Sequence, residues 1–411
     1  MTHVAYLVSR YPAVSHAFIQ REVLALRRAG VGVDTFSLHR ADDADVLTDT
    51  DRAEREATYA IQPVRWPRLV ADHVRAFLHS PARWLATLTH AVRAGRGLRG
   101  RVWQAFYFAE AIQLWAEMRR RGLAHVHVHF ANPAADVAML AARFGGDGWR
   151  WSLTLHGPAE FFDVPGNRLV EKFSSASFVA CASDWARSQA MSLLPSSDWG
   201  HLLLIRGGVD TAAWRPAEVR SATGGLRVLN VGRLASVKGQ ALLIEAIAEL
   251  ERRGVPAHAT IVGAGPERAA LERKTEELGV GAHVELTGAV GQDRVRELYA
   301  WADVFCLPSF REGLPFVAIE ALAMELPVVV TRIMGVPELI HDGVNGLLVA
   351  PGRVDELADA LERLARDDDL RRALGKAGRA KVQRDYELSR LAVELRKAFE
   401  AQASAAVSTN R

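Results

Sequence analysis

The chain has 411 residues, which is enough for two domains of ordinary size. Hydrophobic residues make up 49% of it and charged residues 24%, values that are typical of a globular protein and exclude a disordered one. The formal net charge of +3 is too small to imply a nucleic-acid partner.

The two cysteines, Cys181 and Cys306, both lie within apolar, strand-like runs. We therefore expect buried free thiols in a reducing compartment and no disulfide framework. The N-terminal sequence lacks the basic region and long apolar core of a signal peptide. No uncharged apolar run reaches the roughly 18–20 residues that a membrane span needs. The sequence thus predicts a cytoplasmic protein, with any membrane contact peripheral and on the inner face.

The first predicted elements alternate between strand and helix. Residues 4–8 form a short apolar run that predicts a strand, and residues 15–29 have the apolar stripe of a helix that ends at Gly30. Ser15 is a favourable N-cap for that helix. Residues 33–38 predict the next strand, so the alternation indicates an α/β protein from the start of the chain.

Residues 41–51 are rich in aspartate, and Asp43-Ala44-Asp45 matches an Asp-x-Asp metal motif. The segment lacks a flanking strand that would bury these carboxylates. We therefore expect a solvated acidic loop and no metal site there.

Residues 61–122 differ in chemical character from the rest of the chain. Their arginines far outnumber their acidic residues: Arg65, Arg68, Arg75, Arg83, Arg93, Arg96, Arg99, Arg101, Arg119, Arg120 and Arg121 against Asp72, Glu110 and Glu117. Apolar residues recur at helical spacing in three stretches that begin at Trp66, Trp84 and Val102. Because anionic lipid attracts arginine and tryptophan favours the headgroup boundary, we predict a helical insertion that contacts a membrane surface. The alternative is an insertion packed on its domain with a solvated arginine face.

Four histidines follow the insertion. His125, His127 and His129 alternate, so they share one face of a strand, and such neighbours diverge poorly for tetrahedral zinc ligation. We predict no metal there. Residues 151–155 predict a strand that delivers His156 to its carboxyl end, before a Gly-Pro turn. That position suits contact with a ligand, so we expect a functional role for His156.

A polar, glycine-bearing stretch at residues 217–225 is a plausible linker to a second domain. Residues 226–231 predict a strand, followed by Gly232, Arg233 and Lys238, with a helix from near Lys238 to about residue 252. Gly232 allows close backbone approach at the strand end, where the two side chains bring positive charge. A later run that begins at Gly263 is not a dinucleotide fingerprint, because Arg268 occupies the third glycine position.

Residues 304–330 predict a strand, a loop, a helix and a second strand. Glu312 lies in the loop, and Glu320 follows after seven intervening residues, about one turn into the helix. The N–H groups at the start of that helix favour an anion, whereas two carboxylates favour hydroxyl groups. A ligand that carries both phosphate and sugar hydroxyls would satisfy both features.

These residues resemble glycosyltransferase family 4, whose members are retaining nucleotide-sugar enzymes with the GT-B fold. The likeness covers nearly the whole chain and is weakest at residues 51–122. It implies an α/β protein with two Rossmann-like domains that face each other across a cleft. The expected boundaries are 1–215 for the first domain with its insertion at about 61–122, 216–384 for the nucleotide-sugar domain, and 385–411 for a terminal helix that crosses back to the first domain.

The resemblance also implies roles for individual residues. Arg233 and Lys238 would neutralise the departing diphosphate, Glu320 would accept from the ribose hydroxyls, and Glu312 with the Gly313 backbone would bind the donor sugar. Apart from the resemblance, Glu160 and Asp163 follow His156 closely in the chain and could approach the acceptor. The implied catalytic set is His156, Arg233, Lys238 and Glu312. The implied donor-binding set is Ser15, Gly232, Arg233, Lys238, Glu312, Gly313, Leu314, Phe316, Val317 and Glu320.

One departure from the family pattern concerns the donor sugar. Many members have Glu-Gly-Phe-Gly where this chain has Glu312-Gly313-Leu314-Pro315. Pro315 has no N–H, so one backbone hydrogen bond to a sugar hydroxyl is missing here.

The function implied is sugar transfer, with retention, from a UDP- or GDP-linked donor to a hydroxyl acceptor, without metal or cofactor. A lipid-linked saccharide in cell-surface polysaccharide or glycolipid synthesis is the expected acceptor. Two alternatives stay open. A sugar-nucleotide epimerase shares the fold but needs catalytic acids near the sugar ring. A non-catalytic nucleotide-sugar binder would tolerate loss of Arg233, Lys238 or Glu312, and all three are present.

Overall fold

The computed structural model describes residues 2–13, 16–216 and 224–409. The chain divides into two compact units, Met1–Arg206 with Ser389–Arg411, and Gly207–Leu388. The first division, after Arg206, lies nine residues before the expected boundary at 215, and the second, after Leu388, lies four residues beyond 384. Most of the predicted linker, residues 217–223, lies outside the described residues, as does Ser15.

The first unit is built on seven parallel strands. They are β1 His3–Tyr11, β2 Gly32–Arg40, β3 Tyr59–Gln62, β4 His125–His129, β5 Arg150–Leu155, β6 Val179–Cys181 and β7 Leu202–Leu204. Their order in the sheet is β3-β2-β1-β4-β5-β6-β7. The chain therefore builds outward from β1 in one direction, then returns to its other side at β4. All carboxyl ends lie along one edge, where the strand order reverses between β1 and β4.

Within the described residues of this unit, eight α-helices precede the second unit. They are α1 Ala17–Arg28, α2 Asp49–Ala57, α3 Trp66–His79, α4 Pro81–Ala94, α5 Gly97–Arg120, α6 Pro133–Gly145, α7 Leu169–Ser175 and α8 Asp184–Leu193. Helix α1 begins later than expected, with His16 at its N-cap and no side-chain capping bond. The sequence analysis missed α2, which begins with a reciprocal capping box between Thr48 and Asp51.

The predicted insertion consists of α3, α4 and α5. The C-terminal half of α5 packs into the core of the first unit, where Ile112, Trp115 and Met118 are buried. Its N-terminal half leaves apolar side chains exposed, as does one face of α3. Among the described residues, no helix combines the length and the apolar character needed to cross a bilayer.

The second unit is built on six parallel strands, in the order β10-β9-β8-β11-β12-β13. They are β8 Leu226–Val231, β9 Ala257–Val262, β10 Val284–Gly288, β11 Val304–Leu307, β12 Val328–Thr331 and β13 Leu347–Val349. The helices are α9 Gln240–Arg252, α10 Arg268–Glu277, α11 Gln292–Trp301, α12 Phe316–Ala323, α13 Val336–Leu339, α14 Val354–Arg366 and α15 Asp368–Asp385. Cys306 is buried within β11 and Cys181 within β6, and both are free thiols, as expected.

Helix α9 begins at Gln240, slightly later than expected. A short 3₁₀ turn, Ser236–Lys238, precedes it, and Gly239 between them has a left-handed φ of +65°. A Cβ atom at Gly239 would lie 2.1 Å from the carbonyl oxygen of Pro308. Glycine therefore both interrupts the helix and permits close backbone contact with the loop after β11.

The terminal helix, α16 Leu388–Thr409, packs on the first unit. The ring of Phe399 is buried against Tyr6, His125 and Phe178. Arg396 Nη1 donates to the carbonyl oxygen of Ala29 over 3.0 Å. This helix therefore completes the core of the unit in which the chain begins.

The buried histidines make the stability of the first unit depend on pH. Burial lowers the pKa of His125 to about 3 and lowers the pKa of His127 and His156 well below the usual value. Below the ordinary histidine pKa of about 6.5, the unfolded chain therefore binds protons that the folded chain does not. We expect the melting temperature to fall between pH 7.5 and pH 5, as measured by calorimetry. A constant melting temperature over that range would contradict this assignment.

Candidate active site

The two central strands of the second sheet bring the predicted phosphate and sugar residues together. Strands β8 and β11 are neighbours, with Val228 paired with Val304. The order of the sheet reverses between them, and ligands of open parallel sheets bind outside the carboxyl ends at such a point. The segment with Gly232 and Lys238 leaves β8 at this edge, and the segment with Glu312 leaves β11 beside it.

An ion pair joins these two segments. Lys238 Nζ donates to Glu312 Oε1 over 2.7 Å, and Ser309 Oγ donates to the same oxygen over 2.7 Å. Phe310 N also donates to the carbonyl oxygen of Val237 over 2.8 Å, so the two loops are tied through the backbone as well. Glu312 is only 8% exposed, and both hydrogen bonds end on Oε1. Among the described residues, Oε2 accepts no hydrogen bond, which leaves one carboxylate oxygen for a ligand.

Glu320 is held by a different partner. It lies on α12, is 6% exposed, and has Oε2 at 3.1 Å from the hydroxyl of Tyr299. That hydroxyl also lies 2.9 Å from the carbonyl oxygen of Val317. Tyr299 is fully buried and packs against Phe305 and Trp214, so its position is fixed by the core. Different residues therefore hold the two glutamates: Lys238 and Ser309 bond to Glu312, and Tyr299 contacts Glu320.

The start of α12 supplies N–H groups between the two glutamates. Pro315 is the N-cap, and its carbonyl oxygen accepts from Ala318 N over 3.0 Å and Ile319 N over 3.2 Å. The N–H groups of Phe316 and Val317 precede these and have no acceptor within the helix. The positive end of the helix dipole favours an anion there. As expected, Pro315 offers no N–H, whereas Gly313 and Leu314 are buried in the loop before it.

Glycines allow the turns after β8 and β9 to pack backbone against backbone. A Cβ atom at Gly263 would lie 2.0 Å from the carbonyl oxygen of Gly232, and one at Gly265 would lie 2.1 Å from that of Leu234. This glycine run is therefore structural, as its failed dinucleotide pattern indicated. Arg233 projects from the same edge and is exposed, and its guanidinium makes no hydrogen bond or ion pair with any residue that the structure describes.

His156 lies in the first unit, directly after β5. Its Nε2 is 2.8 Å from His129 Nδ1, and the two rings stack with centroids 5.0 Å apart. On the far side of the pair, His129 Nε2 lies 3.2 Å from a carboxylate oxygen of Glu22, which also accepts from the Tyr6 hydroxyl. Burial, with the neighbouring His129, lowers the pKa of His156 well below its usual value, so the imidazole is neutral at pH 7. The sequence analysis missed Glu22 and His129 as partners of His156.

Glu160 is buried and structural, which corrects the suggestion that it approaches an acceptor. Glu160 accepts from three backbone N–H groups, those of Ala131 over 2.7 Å, His156 over 2.8 Å and Gly157 over 3.0 Å. Its carboxylate therefore fixes the loop that carries His156. Asp163 accepts from Gly166 N over 2.8 Å within its own turn.

The two segments in which metal motifs were considered are occupied by other interactions. Both ring nitrogens of His127 lie 2.8 Å from hydroxyls, those of Ser152 and Thr154. Potential ligand atoms of Glu22, His127 and His129 do lie within 4.8 Å of one another. In the acidic segment, Asp43 is almost fully exposed and pairs with Arg55. The expectation that no metal is required stays a prediction.

Comparison with known proteins shows the family. Residues 215–381 match the family model described as glycosyl transferases group 1. A GDP-mannose-dependent α-(1-6)-phosphatidylinositol monomannoside mannosyltransferase of Mycolicibacterium smegmatis is 36% identical over 61% of this chain and 69% of its own length. The chain belongs to the group 1 glycosyltransferases, and the resemblance to a GT-B enzyme of the family 4 type is confirmed.

Other relatives differ in how much of their length is matched. The α-D-kanosaminyltransferase of Streptomyces kanamyceticus is 38% identical, but the match covers 39% of this chain and 42% of that protein. The chain thus spans under half the length of that relative. A candidate colanic acid biosynthesis glycosyltransferase of Escherichia coli, WcaL, is 26% identical over 93% of this chain and 96% of its own length.

Solved structures confirm the GT-B fold. Anabaena HepE in complex with UDP and glucose covers 98% of this chain and 100% of its own, with a TM-score of 0.74 and 17% identity. TarM covers 97% of this chain and 99% of its own, with a TM-score of 0.73 and 11% identity. At these identities the likeness establishes the arrangement of strands and helices alone.

Proposed function

We propose that this protein transfers a sugar from a nucleoside diphosphate sugar to a hydroxyl acceptor, with retention of configuration. The observation that carries this proposal is the convergence of Lys238, Glu312 and Glu320 on the N-terminus of α12. A positive charge, the N–H groups at the start of a helix and two buried carboxylates at one sheet edge suit a ligand with both phosphates and hydroxyls. The complexes of the structural relative HepE with UDP and glucose and with UDP-glucose support the same ligand class.

Each part of the donor has a matching group in the second unit. The diphosphate meets the N–H groups of Phe316 and Val317 together with the side chains of Arg233 and Lys238. Glu320 accepts from the ribose hydroxyls, and the free oxygen of Glu312 accepts from a hydroxyl of the donor sugar. The base is uracil or guanine, since relatives include both a UDP-glucose complex and GDP-mannose-dependent enzymes.

The chemistry requires stabilisation of a departing diphosphate. The bond between the anomeric carbon and the diphosphate oxygen breaks, while a bond from that carbon to the acceptor oxygen forms on the same face of the sugar. The acceptor proton passes to the released diphosphate, so no metal is needed to balance the step. Negative charge grows on the leaving group, and fixed cations and N–H donors lower the barrier where that charge develops. His156, held neutral and oriented by His129, belongs to the same transfer step by family resemblance.

Membrane contact through the insertion is part of this proposal. Six of its arginines are engaged within the first unit: Arg68, Arg75, Arg83, Arg119, Arg120 and Arg121. The other five make no side-chain hydrogen bond or ion pair within the described chain: Arg65, Arg93, Arg96, Arg99 and Arg101. Trp66 and Trp103 are more than half exposed beside them. This combination suits an anionic membrane surface, where a lipid-linked acceptor of polysaccharide or glycolipid synthesis would be found.

The transfer proposal predicts slow hydrolysis of a labelled UDP- or GDP-sugar by the purified protein. Arg233→Ala and Lys238→Ala should each lower kcat by roughly 10²–10³, the scale of a lost charge-stabilising group. Arg252→Ala is the matched control, because it removes an exposed arginine from the far end of α9, roughly 18 Å from its start. Full turnover in both site variants, or equal loss in the control, would refute the assignment.

The two glutamates should separate in binding of the free nucleoside diphosphate. Glu320→Gln should weaken binding of UDP or GDP by about 1–3 kcal/mol, because charge-assisted bonds to the ribose are lost. Glu312→Gln should keep or strengthen that binding, because it releases Lys238 from its ion pair, and should impair transfer from the full donor. Calorimetric titration of the two variants with UDP or GDP measures both affinities. The reverse pattern would show that the two roles are exchanged.

Membrane attachment predicts salt-sensitive binding to anionic vesicles. Arg96→Gln, Arg99→Gln and Arg101→Gln combined should weaken that binding by roughly 10²-fold at low salt, given about 1 kcal/mol per arginine near the surface. Added salt should erase much of the difference by screening. Sedimentation with vesicles of phosphatidylglycerol and of phosphatidylcholine measures it. Equal binding to both vesicle types, or to neither, would remove the electrostatic part of the proposal.

A further inference from the structure

A cavity of about 540 Å³ opens in the first unit, on the half of the sheet away from His156. Residues at or near the carboxyl ends of β1, β2 and β3 line it, including Tyr11, Arg40 and Gln62. The end of α2 and the start of α3 close its sides with Arg55 and Arg65. Ligands of parallel sheets bind at the edge formed by the carboxyl ends of the strands, so the cavity lies where a ligand is expected.

The lining of this cavity is strongly basic. Four arginines line it, Arg40, Arg55, Arg65 and Arg68, against one acidic residue, Glu56. Arg55 pairs with Asp43 and Arg68 with Glu117 outside the lining. The guanidinium groups of Arg40 and Arg65 are exposed and make no hydrogen bond or ion pair within the part of the chain that the structure describes. The excess of unneutralised arginine favours an anionic ligand.

Two buried polar atoms of the lining residues lack partners. Ser37 is fully buried on β2, and its hydroxyl oxygen makes no hydrogen bond to any described residue. The Nε of Arg55 is also buried without an acceptor in the described chain. Unsatisfied buried polar groups are rare in folded proteins, because each costs free energy that a partner would recover. Their presence beside a basic cavity indicates a ligand rich in hydrogen-bond acceptors.

An exposed apolar stripe begins where the cavity ends. Trp66 follows Arg65 directly and is 69% exposed at the start of α3. Val70, Val74, Phe77 and Leu78 continue along that helix at spacings of three and four residues, so they share a face, and all are exposed. A basic cavity next to an exposed apolar stripe matches a ligand with an anionic head and a hydrocarbon tail.

We propose that this cavity binds the phosphate or diphosphate group of a lipid-linked acceptor, with the lipid chain lying along the apolar face of α3. Arg40 and Arg65 pair with the phosphate oxygens, and the cavity wall around Ser37 and Arg55 supplies further donors. This inference rests on the proposed function in that the bound lipid is the sugar acceptor. It adds the binding site and the chemical class of that acceptor.

The position of the cavity also constrains what the lipid carries. His156, assigned above to the transfer step, ends β5, and the cavity lies at the ends of β1 to β3. With strands about 4.8 Å apart, these positions are separated by roughly 10–19 Å along the sheet edge. That distance is longer than a single sugar ring. The acceptor hydroxyl therefore belongs to a saccharide already attached to the lipid phosphate, and the reaction that supplies this acceptor is an earlier glycosyl or glycosyl-phosphate transfer to the lipid.

The test compares three probes: dodecyl phosphate, inorganic phosphate and uncharged dodecyl maltoside. The two dodecyl compounds are used below their critical micelle concentrations. Calorimetric titration should show dodecyl phosphate binding at least tenfold more tightly than either of the others. Arg40→Gln with Arg65→Gln should weaken that binding by roughly 10²-fold, since each removes a charge-assisted contact. Val70→Ser with Leu78→Ser should weaken dodecyl phosphate binding but leave inorganic phosphate binding unchanged. The matched control is Arg93→Gln with Arg96→Gln, which removes equal charge away from the cavity and should have little effect.

The outcomes separate this inference from the proposed function. Equal binding of dodecyl phosphate to the wild type and to the Arg40/Arg65 variant would overturn the inference. An equal loss of affinity in the Arg93/Arg96 control would also overturn it, because the binding would then depend on overall positive charge and not on this cavity. If inorganic phosphate binds as tightly as dodecyl phosphate, the alkyl chain contributes nothing. The ligand of the cavity would then be a free phosphate ester and not a lipid. Hydrolysis of the nucleotide sugar by the wild-type protein is measured separately, because the proposed donor site lies in the second unit. Its absence from the wild type would count against the proposed function alone.

Discussion

The ion pair between Lys238 and Glu312 joins the two halves of the second sheet. Lys238 follows β8 and Glu312 follows β11, the strands on either side of the point where the sheet order reverses. A buried carboxylate is costly unless it is paired and hydrogen-bonded, and here Lys238 and Ser309 meet that need through one oxygen. The other oxygen stays available to a ligand. The cation and the start of α12 are thereby held near each other before any donor binds, so little reorganisation accompanies binding.

The first unit holds the residues at the carboxyl ends of its strands in a different way. Its carboxyl-end residues include a buried neutral imidazole, His156, held by His129 and by a loop that Glu160 fixes through three backbone bonds. Farther along the same edge lies the basic cavity between α2 and α3. The insertion formed by α3, α4 and α5 borders this cavity. It packs one half of α5 into the core and leaves the apolar face of α3 exposed beside the cavity.

Much of the fold follows from the sequence because buried parallel strands are continuous apolar runs. Strands β1, β2, β8 and β11 were all predicted within a few residues on that basis. The sequence also placed Glu312 in the loop before α12 and Glu320 inside that helix, and the structure has both residues there. By contrast, the basic cavity could not be predicted, because Arg40, Arg55 and Arg65 come from three separate elements with no common spacing. The capping box at Thr48 was a usable signal for α2, and it was obscured by the run of aspartates around it.

The contacts of polar side chains were the least predictable part of the site. Glu160 follows the end of β5 by a few residues, a position where a carboxylate could meet a ligand, yet its partners are backbone N–H groups of its own loop and of Ala131. Likewise, the alternating histidines of β4 were predicted to share one face of a strand, yet His127 bonds to hydroxyls whereas His129 bonds to His156. Sequence spacing gives the face on which a residue lies, and only the packing of neighbouring elements decides its partner.

The central claim is that a nucleoside diphosphate binds at the carboxyl ends of β8 and β11. The most direct measurement is a crystal structure of the protein with UDP or GDP. The account predicts the diphosphate at the first turn of α12 within reach of Arg233 and Lys238, and the ribose hydroxyls on Glu320. A nucleotide seated elsewhere, with Glu320 still bonded only within the protein, would contradict it.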